Sequence, residues 1–230
     1  MTMSDAAWQA LGLSIWVSIW ATLMALPLAI AVAWLLARKD FFGKTLLSAL
    51  VHLPLVLPPV VTGYLLLLSF GRRAPLGIFL ENTFGLVLAF RWTGAVLAAI
   101  IMGFPLMVRA IRLAIEAVDP KLEQAAATLG LPAWAVAWRV TLPLAFPGIL
   151  AGTVMGFAKA MGEFGATITF VANIPGETQT LPSAVHAFLQ IPGGEGAAAA
   201  LILWAVVISF GAIVLSEWLA QSVAKRIAGT

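Results

Sequence analysis

Residues 11–37, LGLSIWVSIWATLMALPLAIAVAWLLA, contain no Asp, Glu, Lys or Arg. A helix rises about 1.5 Å per residue, so this run is long enough to cross a hydrocarbon core of about 30 Å. Residues 45–71 and 197–216 are likewise uncharged. The shorter runs 92–108 and 140–158 reach a similar length when a turn is added at either end. The whole composition agrees: 62% hydrophobic, 10% charged, mean hydropathy +1.02. A soluble folded surface needs more polar cover than this. The expected fold is an all-α integral membrane protein of five transmembrane helices, over roughly 10–37, 46–70, 92–112, 143–168 and 197–219, without a separate soluble domain or a tandem repeat.

The start of the chain carries Asp5 and no basic stretch, and it runs into an apolar segment too long for a secretory signal core, so no cleaved leader is expected. The absence of cysteine excludes a disulfide framework, a thiolate metal site and a cysteine nucleophile. The pI near 9.7 reflects a net charge of only +3 spread over short loops. That is a poor track for phosphates, and no nucleic-acid partner is expected. Orientation accounts for the basic residues better. With the N-terminus outside and the C-terminus cytoplasmic, Arg38, Lys39, Lys44, Arg109, Arg112, Lys121, Arg139, Lys225 and Arg226 fall inside. Only Arg72, Arg73 and Arg91 then lie outside, and Lys159 falls within a span. This asymmetry follows the positive-inside rule, with Arg72 and Arg73 against it.

Pro54, Pro58 and Pro59 remove backbone donors from the second span, which is expected to kink or break in its outer half. Residues 71–91 are read as an outside loop. Residues 164–176 are short for a sixth crossing, and read as the end of the fourth span or as a segment lining a cavity. A short helix over 181–190, behind Pro182, is expected at the outer mouth.

The segment 119–143 between the third and fourth spans holds a compact helix. Asp119 suits an N-cap, Pro120 the first helical position, and Gly130 the left-handed position beyond the end. Leu122, Ala125, Ala126 and Leu129 fall at i, i+3, i+4 and i+7, one apolar stripe, while Lys121, Glu123, Gln124 and Thr128 occupy the other faces. A helix this short is not stable alone in water, so it must dock. It either packs on its own bundle or on lipid headgroups, or it enters a groove on a cytoplasmic partner.

Gln124-Ala125-Ala126, then Gly130, then Val140-Thr141-Leu142-Pro143, resembles the EAA loop of ABC importer membrane subunits in spacing. Gln124 stands where that family usually has Glu, with Glu123 one place earlier, and Val140 replaces Ile. The runs 53–61, 162–167 and 173–178, together with Pro192-Gly193-Gly194-Glu195, are similar to the molybdate permease branch. The Glu163-Phe164-Gly165-Ala166 element is shared with sulfate permeases, whereas Asn173-Ile174-Pro175-Gly176-Glu177 is more particular to molybdate. The resemblance implies a type I importer permease (MetI-like) fold in the bacterial cytoplasmic membrane. It implies that Asp119, Lys121, Leu122, Glu123, Gln124, Ala125, Ala126, Leu129, Gly130 and Pro143 couple to an ATPase. It further implies a second copy of this chain, two cytoplasmic ATPase subunits holding ATP and Mg, and a periplasmic molybdate-binding protein. This chain itself is expected to bind no cofactor or metal and to have no catalytic residue.

Lys159 and Glu163 lie one helical turn apart within the fourth span. Unpaired charges there would each cost roughly 2.5–3.5 kcal/mol, so they should pair or face water. They either border the translocation pathway or its gate, with Phe164, Gly165, Thr167, Pro58 and Pro59, or form a structural ion pair. Gly148, Gly152 and Gly156 recur every fourth residue, spacing that lets helices approach closely, within one subunit or at a dimer seam. Few cations lie within the spans, which fits a low-affinity path for a dianion. Arg72, Arg73 and Arg91 are solvated loop charges or greet the anion or its carrier.

Gly43-Lys44-Thr45 lacks the upstream glycine and strand of a P-loop. His52 and His186 sit in unrelated segments without a metalloprotease or serine-hydrolase pattern. Trp8, Trp92, Trp134, Trp138 and Trp218 lie near span ends as interface anchors among membrane lipid. The expected function is the permease subunit of an ATP-driven molybdate importer. Tungstate or sulfate permeases are the alternatives within that class, and an ion-coupled secondary transporter using Lys159 and Glu163 lies outside it. The secondary transporter would leave the 119–143 segment unexplained.

Overall fold

The computed structural model describes residues 5–228, and the side chains of Lys225 and Arg226, assigned above to the cytoplasm, lie outside the described set. The described residues form helices and connections with no strand. Helix α1, Asp5–Arg38, is a single rod that carries Pro27 within it. The second expected span is not one rod. It divides into α2, Lys44–Val56, and α3, Pro59–Phe70, whose axes differ by 113°. The cause is local: a residue preceding proline is pushed from the helical region, and Leu57 and Pro58 both adopt extended backbone, with ψ of 141° and 132°. Pro59 then opens α3, where its missing N–H costs nothing.

The stretch 71–91, expected as a loop, contains α4, Pro75–Phe84, closed by the left-handed Gly85. Helix α5, Trp92–Glu116, leads to α6, Pro120–Thr128, and α7, Ala133–Val136. A π-helical turn, Ala137–Thr141, joins α7 to α8, Leu142–Met161. The N–H of Leu142 reaches back five residues to the carbonyl of Ala137. Pro143 explains this widening, because its ring would crowd the carbonyl four residues earlier in a regular helix.

The fourth expected span, 143–168, is thereby corrected at both ends. Helical structure is already present at Ala133, and it stops at Met161. After Gly162–Phe164 the chain restarts as α9, Gly165–Phe170. Helix α10, Leu181–Leu189, and α11, Glu195–Ala228, complete the order. Among the described residues four helices are long and apolar enough to cross a bilayer, and the bent α2–α3 pair makes five if it is counted as one span.

Helix α5 is the centre, packed against α1, α8, α9 and α2. Small residues allow this closeness. On α1 the buried face runs through Ser14, Ser18, Ala21, Ala25, Ala29 and Ala33. On α8 the expected glycine stripe faces α5 of the same chain. A Cβ on Gly148 would collide with Ala114 and one on Gly156 with the Met107 side chain, while Gly103 meets Gly156 backbone to backbone. Gly156→Val is therefore expected to lose about 1–3 kcal/mol through overpacking. The check is the thermal midpoint of the detergent-solubilised protein. Gly211→Val, where nothing lies within 4 Å of an added Cβ, is the control.

Candidate functional site

The α5–α8 connection and the α8–α9 junction bring together most of the residues singled out from sequence. In the first, the Asp119 Oδ1 accepts the Lys121 N–H at 2.9 Å, so the N-cap forms. At the other end Gly130 takes φ +87°, and the N–H groups of Gly130 and Leu131 bond the carbonyls of Ala127 and Ala126. Both ends are thus closed by local chemistry. The apolar stripe is not covered. Leu122 is 49% and Leu129 85% exposed, Ala125 is exposed, and only Ala126 is buried. Helix α6 therefore does not spend its apolar face on its own bundle. Lys121 and Gln124 are exposed as well, and Pro143 sits apart from them in the first turn of α8.

Glu123 faces the other way. Its Oε1 accepts from Arg38 Nε at 3.0 Å and from the Thr141 hydroxyl at 2.6 Å. Arg38 also donates through Nη2 to the Val118 carbonyl at 3.0 Å. These contacts border a cavity of about 300 Å3 lined by Trp34, Lys39, Gln124 and Ala127 among others. Sequence reading gave Arg38 only an orienting charge and Thr141 only a motif position. Neither periodicity nor spacing pairs residues so far apart. Nearby, the Lys44 ammonium 2.8 Å from Asp40 donates to that carboxylate and holds it below its ordinary pKa.

At the second place, Lys159 Nζ donates to Glu163 Oε2 at 2.6 Å. The other oxygen, Oε1, accepts the Ala166 N–H at 2.9 Å. Glu163 is only 3% exposed, so one buried carboxylate ties the end of α8 to the start of α9. The two half-helices α3 and α9 pack together here. A Cβ on Gly165 would fall 2.5 Å from Pro59, and one on Gly63 would collide with Thr169 and Ala166. Thr167 is buried, Pro58 and Pro59 are exposed, and the Phe164 ring lies 5.1 Å from His186. Irregular backbone of this kind persists in a membrane protein where it is enclosed by protein or lines a cavity. His186 and Gly63 carried no sequence signal beyond their residue types. Arg72 and Arg91 are exposed on a separate cavity of about 450 Å3, with Phe90 and Glu177.

Interrupted spans packed around a largely buried ion pair, with the apolar stripe of a capped helix left exposed, fit a membrane transport subunit. The sequence matches, over residues 25–225, the family described as binding-protein-dependent transport system inner membrane component, and the chain belongs to it. The molybdenum transport system permease protein ModB of Escherichia coli K12 is 57% identical over 226 residues, 98% of this chain and 99% of that one. ModB of Haemophilus influenzae is 56% identical over 218 residues, 95% of each chain. The sulfate transport system permease protein CysW of Synechococcus elongatus is 39% identical over 175 residues, 76% of this chain and 61% of that one. In fold the chain resembles a bacterial ABC transporter involved in alginate import, at TM-score 0.77 and 16% identity, covering 96% of this chain and 80% of that one. The MetNI methionine ABC transporter gives 0.70 at 13% identity, covering 96% and 99%. The all-α, multi-pass inner-membrane permease fold follows.

Proposed function

We propose that this chain is the permease subunit of an ATP-driven importer that carries molybdate into the cytoplasm. The observation that carries the reading is near-complete coverage at 57% identity to a molybdenum permease, against 39% over a shorter stretch to a sulfate permease. The open stripe of α6 supports the mechanism, because it is an apolar face awaiting a partner. In this reading two copies of the chain form the path, and two ATPase subunits, which hold ATP and Mg, seat the α6 helices. A periplasmic binding protein delivers the anion. The N-terminus lies outside and the C-terminus inside, a reading that the charge asymmetry supports. Lys159, Glu163, Phe164, Gly165, Thr167, Pro58 and Pro59 border the path or its gate. No dense cationic site is needed there, since tight binding would slow release, and the binding protein holds the selectivity.

Proteoliposomes containing the permease, its ATPase and the binding protein are expected to accumulate molybdate only with ATP inside the ATPase compartment. Competition with unlabelled tungstate and sulfate ranks the anions. Preferential block by sulfate would transfer the reading to a sulfate permease. Accumulation by the permease alone would reject an ATP-driven importer.

A further inference from the structure

We propose that Glu123 is a positioning residue that locks α6 to the ends of α1 and α8, so that displacement of α6 is delivered to both spans together. This rests on the reading of the chain as a permease driven through α6. Three bonds among three side chains and one backbone carbonyl make the lock. Glu123 Oε1 holds Arg38 Nε at 3.0 Å and the Thr141 hydroxyl at 2.6 Å, and Arg38 Nη2 holds the Val118 carbonyl at 3.0 Å. Arg38 is the last residue of α1, Val118 immediately precedes the N-cap of α6, and Thr141 is the last residue of the turn that becomes α8.

The surroundings distinguish this from an ordinary surface pair. Arg38 and Glu123 side chains are only 16% and 20% exposed, and Thr141 is 1% exposed. Solvent screening, which makes exposed pairs weak, is reduced here. The apolar grip of α6 on its own chain is slight, because Ala126 is its one buried residue and Leu122 and Leu129 point elsewhere. A helix this short has no stability of its own. The polar lock therefore sets its orientation relative to the spans. Arginine is the fitting cation, because its rigid fork donates to Glu123 and to Val118 at once, which a lysine ammonium does not reproduce. The exposed Arg112–Glu116 pair on α5 bonds within one helix and transmits nothing between elements.

The test uses the complete complex in proteoliposomes and reads two rates, ATP hydrolysed and molybdate imported. Glu123→Ala, which leaves the Leu122–Leu129 stripe intact, is expected to retain the ATPase and hydrolyse ATP within about twofold of wild type, yet import about tenfold less anion per ATP. Arg38→Ala and Thr141→Val are expected to uncouple in the same way, and pairing either with Glu123→Ala to add little, since one network is already broken. Arg38→Lys is expected to rescue only part of the ratio. Should Glu123→Ala fail to assemble, Glu123→Gln, which keeps an acceptor for Thr141 without the charge, provides the same ratio, expected to fall less. An unchanged import-to-ATP ratio in the assembled variants, a parallel loss of both rates, or fully additive double variants would overturn the lock. A wild-type complex that imports no molybdate under ATP would instead overturn the function on which it rests.

Discussion

Leu122→Asp combined with Leu129→Asp is expected to abolish ATP-driven uptake while leaving the permease folded. Leu129 is almost fully and Leu122 half exposed in the isolated chain, so the substitutions remove little internal packing. In the proposed importer these residues would be buried against the ATPase, and two leucines contribute about 3–6 kcal/mol. Two carboxylates entering an apolar groove add a desolvation cost. The loss corresponds to a factor of about 10² to 10⁴ in affinity. Inverting a two-state transporter from 1:99 to 99:1 takes about 5.5 kcal/mol of differential binding, so what remains cannot drive it. Size-exclusion and thermal-midpoint measurements should match wild type while co-purification of the ATPase disappears. Retained ATPase and normal uptake would show that α6 does not dock through this stripe.

Glu163→Ala carries the second large effect, in this case on assembly. The carboxylate accepts from Lys159 and from the Ala166 N–H while almost fully buried. Its removal strands an ammonium in the apolar bundle, at roughly 2.5–3.5 kcal/mol, and orphans the Ala166 amide in the first turn of α9, at about 1–3 kcal/mol. A sharp fall in monodisperse protein from detergent is the expected readout. The double variant Lys159→Met with Glu163→Gln leaves no unpaired charge and an acceptor for Ala166, and it should recover much of the yield. Glu163→Gln alone tests the pathway role. If it assembles and imports at the wild-type rate, the Glu163 charge is no part of the path.

The caps of α6 show how far local sequence carries. Asp119, Pro120 and Gly130 act on backbone groups within a few residues, so helix limits could be read without knowing what surrounds them. The Pro58–Pro59 break is of the same kind. The stop at Met161 is not, because Gly162 is tolerated inside many helices. Here the chain turns where the Glu163 carboxylate bonds the restarting α9. The π-helical turn before Pro143 is hidden for a different reason: a proline reads as the start of a helix, whereas here it widens one already under way. The regular face of small residues on α1 does not stand out from the surrounding alanines and leucines, and it is the packing of α5 that defines it.

Run length, charge asymmetry, proline and capping residues act over a few neighbouring positions, and from these the sequence by itself determined the membrane class, the interrupted second span and the α6 helix. Tertiary structure alone decided which charges meet across separate elements. Arg38 and Glu123 stand 85 positions apart, and their bond exists only because α1, α6 and the base of α8 converge. It also decided that the α8 glycines face α5, and that the Leu122–Leu129 stripe stays open. A helix fixes the angle between its own side chains but not which side a neighbour will occupy; packing of the whole bundle makes that choice.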